Sequence, residues 1–393
     1  MKKILALVPF PPPFSGQEIA SKALFENLNL GQKGGVRILP SNIRSRNEER
    51  GRLDLKGVVS AVMFLGRLSY ASFFFRPHGV YFLLSQSRMG FLRDFFVILI
   101  ARMVRASVFA HYHGSNFGSF YDQQSAAYRW LIRFGLNRVA CLIIQVRHLE
   151  KVFYAMAPRT PVRILYNALP LDILERPPKE KKNGAEKGIS FLFINHICFT
   201  KGFYDLILAF EDLCQESRDV SLLVAGDFIL NAATQSEFLS GEAKKFYRDH
   251  HIAIHSKIIN FLKDDHPNVK FFGFVNDAEK KSLYETADIF VLPSYTEGLP
   301  CAVLEAMSFG LPLVTSPVGA LPEILREGEN VLFAKAGDRK SLVGQLKRLA
   351  ENPSLRKSMG ETNYRLTRCC FRPEIIQKEF SDILFRFLEK EIP

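Results

Sequence analysis

Short, continuous apolar runs alternate with longer stretches of mixed polarity along the chain. In the first half the runs are Ile4–Val8, Val80–Leu84, Ser107–His111, Cys141–Val146 and Val162–Leu165. In the second half they are Ile189–Ile194, Ser221–Ala225, Val269–Phe272, Ile289–Leu292, Leu313–Thr315 and Val331–Phe333. Continuous rather than alternating hydrophobicity predicts strands buried on both faces, hence parallel sheets. Their alternation with helical stretches predicts doubly wound α/β layers. The polar, His-containing stretch 228–268 has helical character, and its His251 and His255 lack a third partner for a metal site. Pro373–Glu389 spaces Ile376, Phe380, Ile383, Leu384 and Phe387 as one helix. Leu174–Gly188 (LERPPKEKKNGAEKG) combines prolines, charge and glycine and has the composition of a linker. The expected organisation is one domain over 1–172, a second over 186–370 and a closing helix over 373–393.

A length of 393 residues agrees with two cores rather than one. The N-terminal segment MKKILALVPFPPPFSG mimics a signal peptide, but its apolar run ends at Pro9 and no small-residue cleavage site follows. It is expected to be the first buried strand. No unbroken run of 18 apolar residues occurs, so no membrane-crossing helix is expected. The longest candidate, Phe91–Ala110, is interrupted by Arg93, Asp94, Arg102 and Arg105. Six cysteines without a C-x-x-C pair fit a reducing, cytoplasmic setting.

Charge changes this picture. Residues 1–172 carry 23 basic and 9 acidic residues, a net of +14, whereas the remainder carries 29 and 31. Such asymmetry predicts a large anionic partner for the first half. No nucleic-acid-binding motif is visible. The basic residues are interleaved with phenylalanine, as in Val58–Arg76 and Phe91–Arg105, which suits the interface of an anionic membrane. A core-facing helix with a solvated arginine stripe would show the same pattern.

The densest chemistry lies in PSYTEGLPCAVLEAMSFGLPLVTSPVGALPEIL. A strand ends at Pro293, a polar loop contains Gly298 and Pro300, and a helix over Ala302–Phe309 stops at Gly310. Glu297 therefore lies in the loop at a strand's carboxyl end, and Glu305 lies about one turn into the helix. Open parallel sheets bind ligands at that place. The backbone N–H groups of Gly298 and Leu299 are positioned to meet an anion, and the ionised carboxylates suit sugar hydroxyls.

This stretch resembles the nucleotide-sugar signature of retaining glycosyltransferases of family 4, with the GT-B fold: two Rossmann-like domains and a final helix that crosses back to the first. The resemblance implies that Glu297 holds the transferred sugar and Glu305 the ribose. In INHICFTKG, Lys201-Gly202 matches the family's diphosphate-binding pair, whereas His196 stands where the family carries Arg. In PFPPPFSGQE, Gly16 matches the turn beneath the diphosphate. In SVFAHYHG, His113 matches a histidine beside the transferred sugar, with His111 buried in the strand. Tyr166-Asn167-Ala168 resembles the Asn-Gly turn at the cleft mouth. Gly226 and Gly273 match strand-end glycines near the nucleotide and its base.

The chain contains no D-x-D, which agrees with transfer that requires no metal. It also lacks the P-loop, dinucleotide and nucleophile-elbow patterns, which weakens kinase, dehydrogenase and esterase readings. The expected activity is transfer of a hexose or N-acetylhexosamine from a nucleotide-diphosphate sugar. The expected acceptor is a glycan, lipid-linked, in assembly of a surface polysaccharide such as lipopolysaccharide. The expected setting is the cytoplasm, peripheral on the inner face of the membrane. The alternatives are a GT-B sugar-nucleotide epimerase and a non-catalytic sugar- or partner-binding relative.

Overall fold

A computed structural model describes residues 2–12, 16–26, 28, 30, 34–42, 55–175, 188–216, 219–229, 235–236, 239–263 and 266–388. Most of the expected linker lies outside the described residues, as do residues 13–15 of the loop before Gly16. The chain divides into two compact units. One runs to Ala168 and resumes at Pro373; the other is Leu169–Arg372.

The first unit contains β1 (Lys2–Val8), α1 (Gly16–Phe25), β2 (Gly34–Pro40), α2 (Leu55–Phe75), β3 (Gly79–Leu83) and α3 (Arg88–Met103). It continues with β4 (Ser107–Tyr112), α4 (Phe117–Asp122), α5 (Ala126–Leu136), β5 (Cys141–Ile144), α6 (Leu149–Met156) and β6 (Val162–Ile164). The strands pair in parallel in the order β2-β1-β3-β4-β5-β6. β3, β4 and β5 are buried at every position, which is why each is one apolar run. β2, absent from the sequence-based strands, is an edge strand. Its Arg37 and terminal Pro40 are tolerable where one side lacks a partner.

The second unit contains α7 (Leu171–Leu174), β7 (Ile189–Ile194), a 3-10 turn (Phe199–Lys201), α8 (Phe203–Glu216), β8 (Val220–Ala225) and α9 (Gly241–Lys263). Then come β9 (Val269–Phe271), α10 (Asp277–Thr286), β10 (Ile289–Leu292), α11 (Cys301–Ser308), β11 (Leu313–Thr315) and α12 (Leu321–Ile324). β12 (Leu332–Phe333), α13 (Arg339–Ala350) and α14 (Pro353–Cys370) complete it. Its parallel sheet has the order β12-β11-β10-β7-β8-β9. The chain builds outward from β7 to β9, then returns to place β10 on the other side of β7. The carboxyl ends of β7 and β10 therefore flank the switch point, where such sheets form their ligand crevice. In α9, Tyr247 Oη lies 2.8 Å from His255 Nε2, so that histidine has a phenol partner rather than a metal-ligating one.

The final helix, α15 (Pro373–Leu388), belongs to the first unit. Its Ile376, Phe380, Leu384 and Leu388 join β1, β3, β4 and α1 in one apolar core. Phe380 meets Phe25 at 5.5 Å and Tyr81 at 5.1 Å between ring centroids. A Cβ at Gly79 would lie 3.2 Å from Leu388 Cδ2, so the return helix fits closely over the start of β3.

α2 departs from expectation. It buries Phe64, Leu68 and Ala71 but exposes its opposite face. Among the described helices, Gly57–Phe75 is long and apolar enough to cross a membrane, and only 22% of that window is buried. Ser60, Gly66, Arg67 and Ser69 interrupt the run, so a search for unbroken apolar sequence misses it. The stretch Phe91–Ala110 is instead split: α3 ends at Met103, Arg105 takes a left-handed φ of 59°, and β4 begins.

In the second unit, Asp205 in the first turn of α8 accepts a hydrogen bond from Tyr295, in the loop after β10. Tyr295 stacks on Phe199 at 4.8 Å, and its N–H donates to the Thr200 carbonyl at 2.9 Å. Burial pushes the Asp205 carboxyl up to about 6 despite the tyrosine's opposing effect.

Two expectations follow. Phe380→Ala should destabilise the first unit by about 3–5 kcal/mol through an unfilled cavity, read by urea unfolding; a loss under ~1 kcal/mol would contradict the packing. Asp205 should contribute stability that is full below the ordinary carboxylate range and is lost as pH rises through about 6. Asp205→Asn should flatten the stability profile between pH 4 and 6, and an unchanged slope there would remove Asp205 as its source.

Candidate functional site at the switch point of the second sheet

Two loops meet at the carboxyl ends of β7 and β10. Lys201 Nζ lies 2.7 Å from Glu297 Oε1, and Ser294 Oγ donates to the same oxygen at 2.8 Å. Glu297 is buried, and the Lys201 side chain retains about a fifth of its exposure. The approach depends on glycine. Gly202 has φ 71°, and a Cβ there would collide with the Pro293 carbonyl oxygen. Gly319, with φ 61°, lies against the carbonyl oxygens of Glu297 and Gly298. Ala320 N–H donates to the Gly298 carbonyl at 2.9 Å, bracing the loop before α11. A side chain at either glycine would force the loops apart.

Gly298 and Leu299 lie directly before α11, and Glu305 points from its second turn into a separate polar pocket. Lys280 Nζ is 3.0 Å from Glu305 Oε1, and Tyr284 Oη donates to Oε2 at 3.0 Å. Burial works to lower the Lys280 ammonium, but Glu305 more than offsets this and leaves it raised. Burial, then Glu305, pushes the Tyr284 phenol upward, and the same two causes bring the Cys301 thiol to about 12. Cys301 is therefore an inert packing group rather than a nucleophile.

The other expected donor-site residues surround the same sheet edge. His196 follows β7, and its N–H donates to Asn195 Oδ1 at 2.8 Å. Gly226 follows β8 with φ 142°, and a Cβ there would collide with the Asn195 carbonyl oxygen. Its N–H donates to the Gly273 carbonyl at 2.8 Å, tying the ends of β8 and β9 together.

In the first unit, Gly16 opens α1, and a Cβ there would enter open space. His113 follows β4 within a polar cluster at the sheet's carboxyl edge. Its Nε2 lies 3.2 Å from His111 Nδ1, which is 2.7 Å from Tyr81 Oη. Its Nδ1 lies 3.1 Å from Gln145 Nε2, which also donates to Asn167 Oδ1 at 2.5 Å. An amide nitrogen can only donate, so His113 Nδ1 accepts and its Nε2 carries the proton. Burial lowers His113 to about 4, so the ring is neutral near pH 7.

Ser294, Lys280, Tyr284, Gln145 and Tyr81 were not singled out from sequence. Lys280 and Tyr284 are spaced i, i+4 on α10, a pattern that places them on one face but names no partner. Gln145 directly follows a buried strand, so a polar residue at that strand end was the available signal.

Residues 175–366 match the family described as glycosyl transferases group 1. The capsular polysaccharide biosynthesis glycosyltransferase CapM of Staphylococcus aureus is 25% identical over 199 residues, 50% of this chain and 46% of that protein. The chain spans about half the length of the first relatives it matches. Among solved structures, sucrose-phosphate synthase of Thermosynechococcus elongatus aligns over 100% of both chains with a TM-score of 0.71 and 14% identity. Anabaena HepE in complex with UDP aligns over 98% of this chain and 100% of its own, with a TM-score of 0.68 and 15% identity. These similarities fix the fold as GT-B and relate the chain to polysaccharide biosynthesis enzymes. Over residues 175–366, just under half of its length, the chain is similar to the glycosyl transferases group 1.

Proposed function

We propose that the protein is a retaining glycosyltransferase that moves a hexose or N-acetylhexosamine from a nucleotide-diphosphate sugar to a glycan acceptor. The observation that carries this reading is the Lys201–Glu297 pair, held at a switch point between glycine-shaped loops. Departure of a nucleoside diphosphate builds negative charge, and a fixed ammonium beside it stabilises that charge. Lys201 takes this role, with the Gly298 and Leu299 amides and His196 as further donors. Glu297, released from Lys201 by the incoming diphosphate, accepts from sugar hydroxyls. Glu305 uses its remaining lone pairs on the ribose, while Lys280 and Tyr284 hold it in place. Anabaena HepE, a structural relative, is described in complex with UDP and glucose, which supports a donor of this class.

His113 is assigned to the transferred sugar by family resemblance. Both of its ring nitrogens are already engaged within the first unit, so a sugar contact requires exchange of one hydrogen bond. Its contribution is therefore smaller than that of Glu297. Transfer is proposed to need no metal, because the cation at the diphosphate is Lys201. The acceptor is proposed to be lipid-linked and presented at the inner face of an anionic membrane, as the basic first half and the polysaccharide relatives suggest.

One observation favours a second reading: His196 replaces the family's Arg, as a non-catalytic sugar-binding relative would tolerate. If the enzyme reading is right, thermal-shift titration should find one nucleotide-diphosphate sugar that stabilises by about 2.7 kcal/mol at 100 times its dissociation constant. The response should persist in EDTA. Glu297→Gln should reduce transfer roughly 100- to 1000-fold while leaving the unliganded melting temperature nearly unchanged. His113→Ala should cost roughly tenfold, the range of a single displaceable contact. Donor binding without transfer, rescued by His196→Arg, would establish the non-catalytic reading instead.

A further inference from the structure

The exposed face of α2 and an arginine pocket beside it point to one occupant. Val62, Met63, Tyr70, Phe73 and Phe74 are each more than 60% exposed and recur at helical spacing along one side of α2. Tyr70 and Phe74 meet at 4.4 Å, and Phe73 and Phe74 at 5.5 Å, so the aromatic end forms a contiguous cluster. The stripe extends over about 18 Å of helix. No acidic residue occurs from Leu55 to Arg76. Soluble surfaces rarely expose this much contiguous apolar area without a partner.

The second observation is independent. Arg102, Arg133, Arg138 and Arg159 line one open pocket. They come from the C-terminal ends of α3, α5 and α6, each of which leads into the amino end of the next strand. The pocket is thus at the sheet edge opposite His113. Helix C-termini attract cations, and Arg138 is used locally, stacking on Phe134 at 3.3 Å. Arg102, Arg133 and Arg159 have no carboxylate partner among the described residues. α2 packs on α3 and α3 on α5, and α2 ends at this same edge. The aromatic end of the stripe and the arginine pocket therefore belong to one helical layer.

We propose that this layer docks on an anionic lipid bilayer, with the α2 stripe lying in the interfacial zone and the arginine pocket holding lipid phosphate. The proposal deepens the lipid-linked acceptor reading by assigning its surface. Apolar area beside unpaired guanidinium groups is the composition that anionic interfaces bind. A symmetric second copy is disfavoured, because a self-complementary contact would set a strongly basic layer against itself.

Sedimentation of the full chain with phosphatidylcholine vesicles, with and without about one-third phosphatidylglycerol, tests it. The expected result is strong binding only with the anionic lipid, weakening as salt is raised. Met63→Glu/Phe73→Glu should abolish binding. Arg102→Gln/Arg133→Gln/Arg159→Gln should weaken it roughly a hundredfold, near fivefold per charge. All changes are at exposed positions, so the melting temperatures should remain close to that of the parent. Inorganic phosphate should not compete at low millimolar concentration, which separates bilayer docking from a free-phosphate site. Absence of anionic-lipid binding, or binding indifferent to both sets of variants, would overturn the proposal. So would a dimer in light scattering that Met63→Glu/Phe73→Glu dissolves while vesicles go unbound. Donor thermal shifts on the same variants report the transferase reading separately and should be unchanged.

Discussion

Lys201 and Glu297 are 96 residues apart, yet their side chains lie 2.7 Å apart because β7 and β10 are neighbours. Neither loop achieves this alone. β7 must be followed by a 3-10 turn that closes at a left-handed Gly202, and β10 must end at Pro293, whose carbonyl fills the space where a Cβ would be. Gly319 then permits the next segment to approach from below. A partly buried ion pair adds little net stability, because desolvation of both charges offsets their attraction. What the pair does hold is a cation and a carboxylate already stripped of much of their water at the carboxyl ends of two neighbouring strands.

The sequence announced the parallel sheets because strands buried on both faces must be continuous apolar runs. It announced Glu297, Gly298 and Glu305 as candidates because loop, glycine and helix start occupy one contiguous string, and Lys201, Gly16, Gly226 and Gly273 through resemblance to the family's motifs. The partners of those residues were hidden. Lys280 and Tyr284 reach Glu305 from a helix more than twenty residues earlier, and nothing local in α10 indicates that contact. Likewise Tyr81, from the middle of β3, and His113, Gln145 and Asn167, from beyond the ends of β4, β5 and β6, are linked only in the folded sheet. β2 was missed for a different reason: an edge strand is released from the apolar continuity that marks the others.

α2 shows the limit of reading burial from composition. Its sequence allows an apolar face directed to a core, to a membrane or to a partner, and helical periodicity is the same in each case. The fold removes one option. Phe64, Leu68 and Ala71 already occupy the core-facing side, so Met63, Tyr70 and Phe73 are surplus to it. A domain that needed only internal stability would place polar residues there at little cost.

The first sheet separates two kinds of electrostatic environment along its strand direction. At its carboxyl edge, burial drives the histidines toward neutrality, His111 through desolvation and then His113, and neutral hydrogen bonds link the cluster, with His111 Nε2 left without a partner. At its amino edge, the helices end in arginines. His78 there is lowered by burial and then by Lys2, the N-terminus and Lys3, a sign of crowded positive charge. Neutral donors and acceptors suit sugar hydroxyls, which carry no charge to match. Accumulated cations suit phosphate, and their attraction extends about one Debye length from the surface. Placing them at opposite ends of the strands keeps the anion-attracting field away from the neutral cluster. That separation follows from parallel topology: every crossover helix directs its C-terminus, whose dipole favours cations, to the same amino edge.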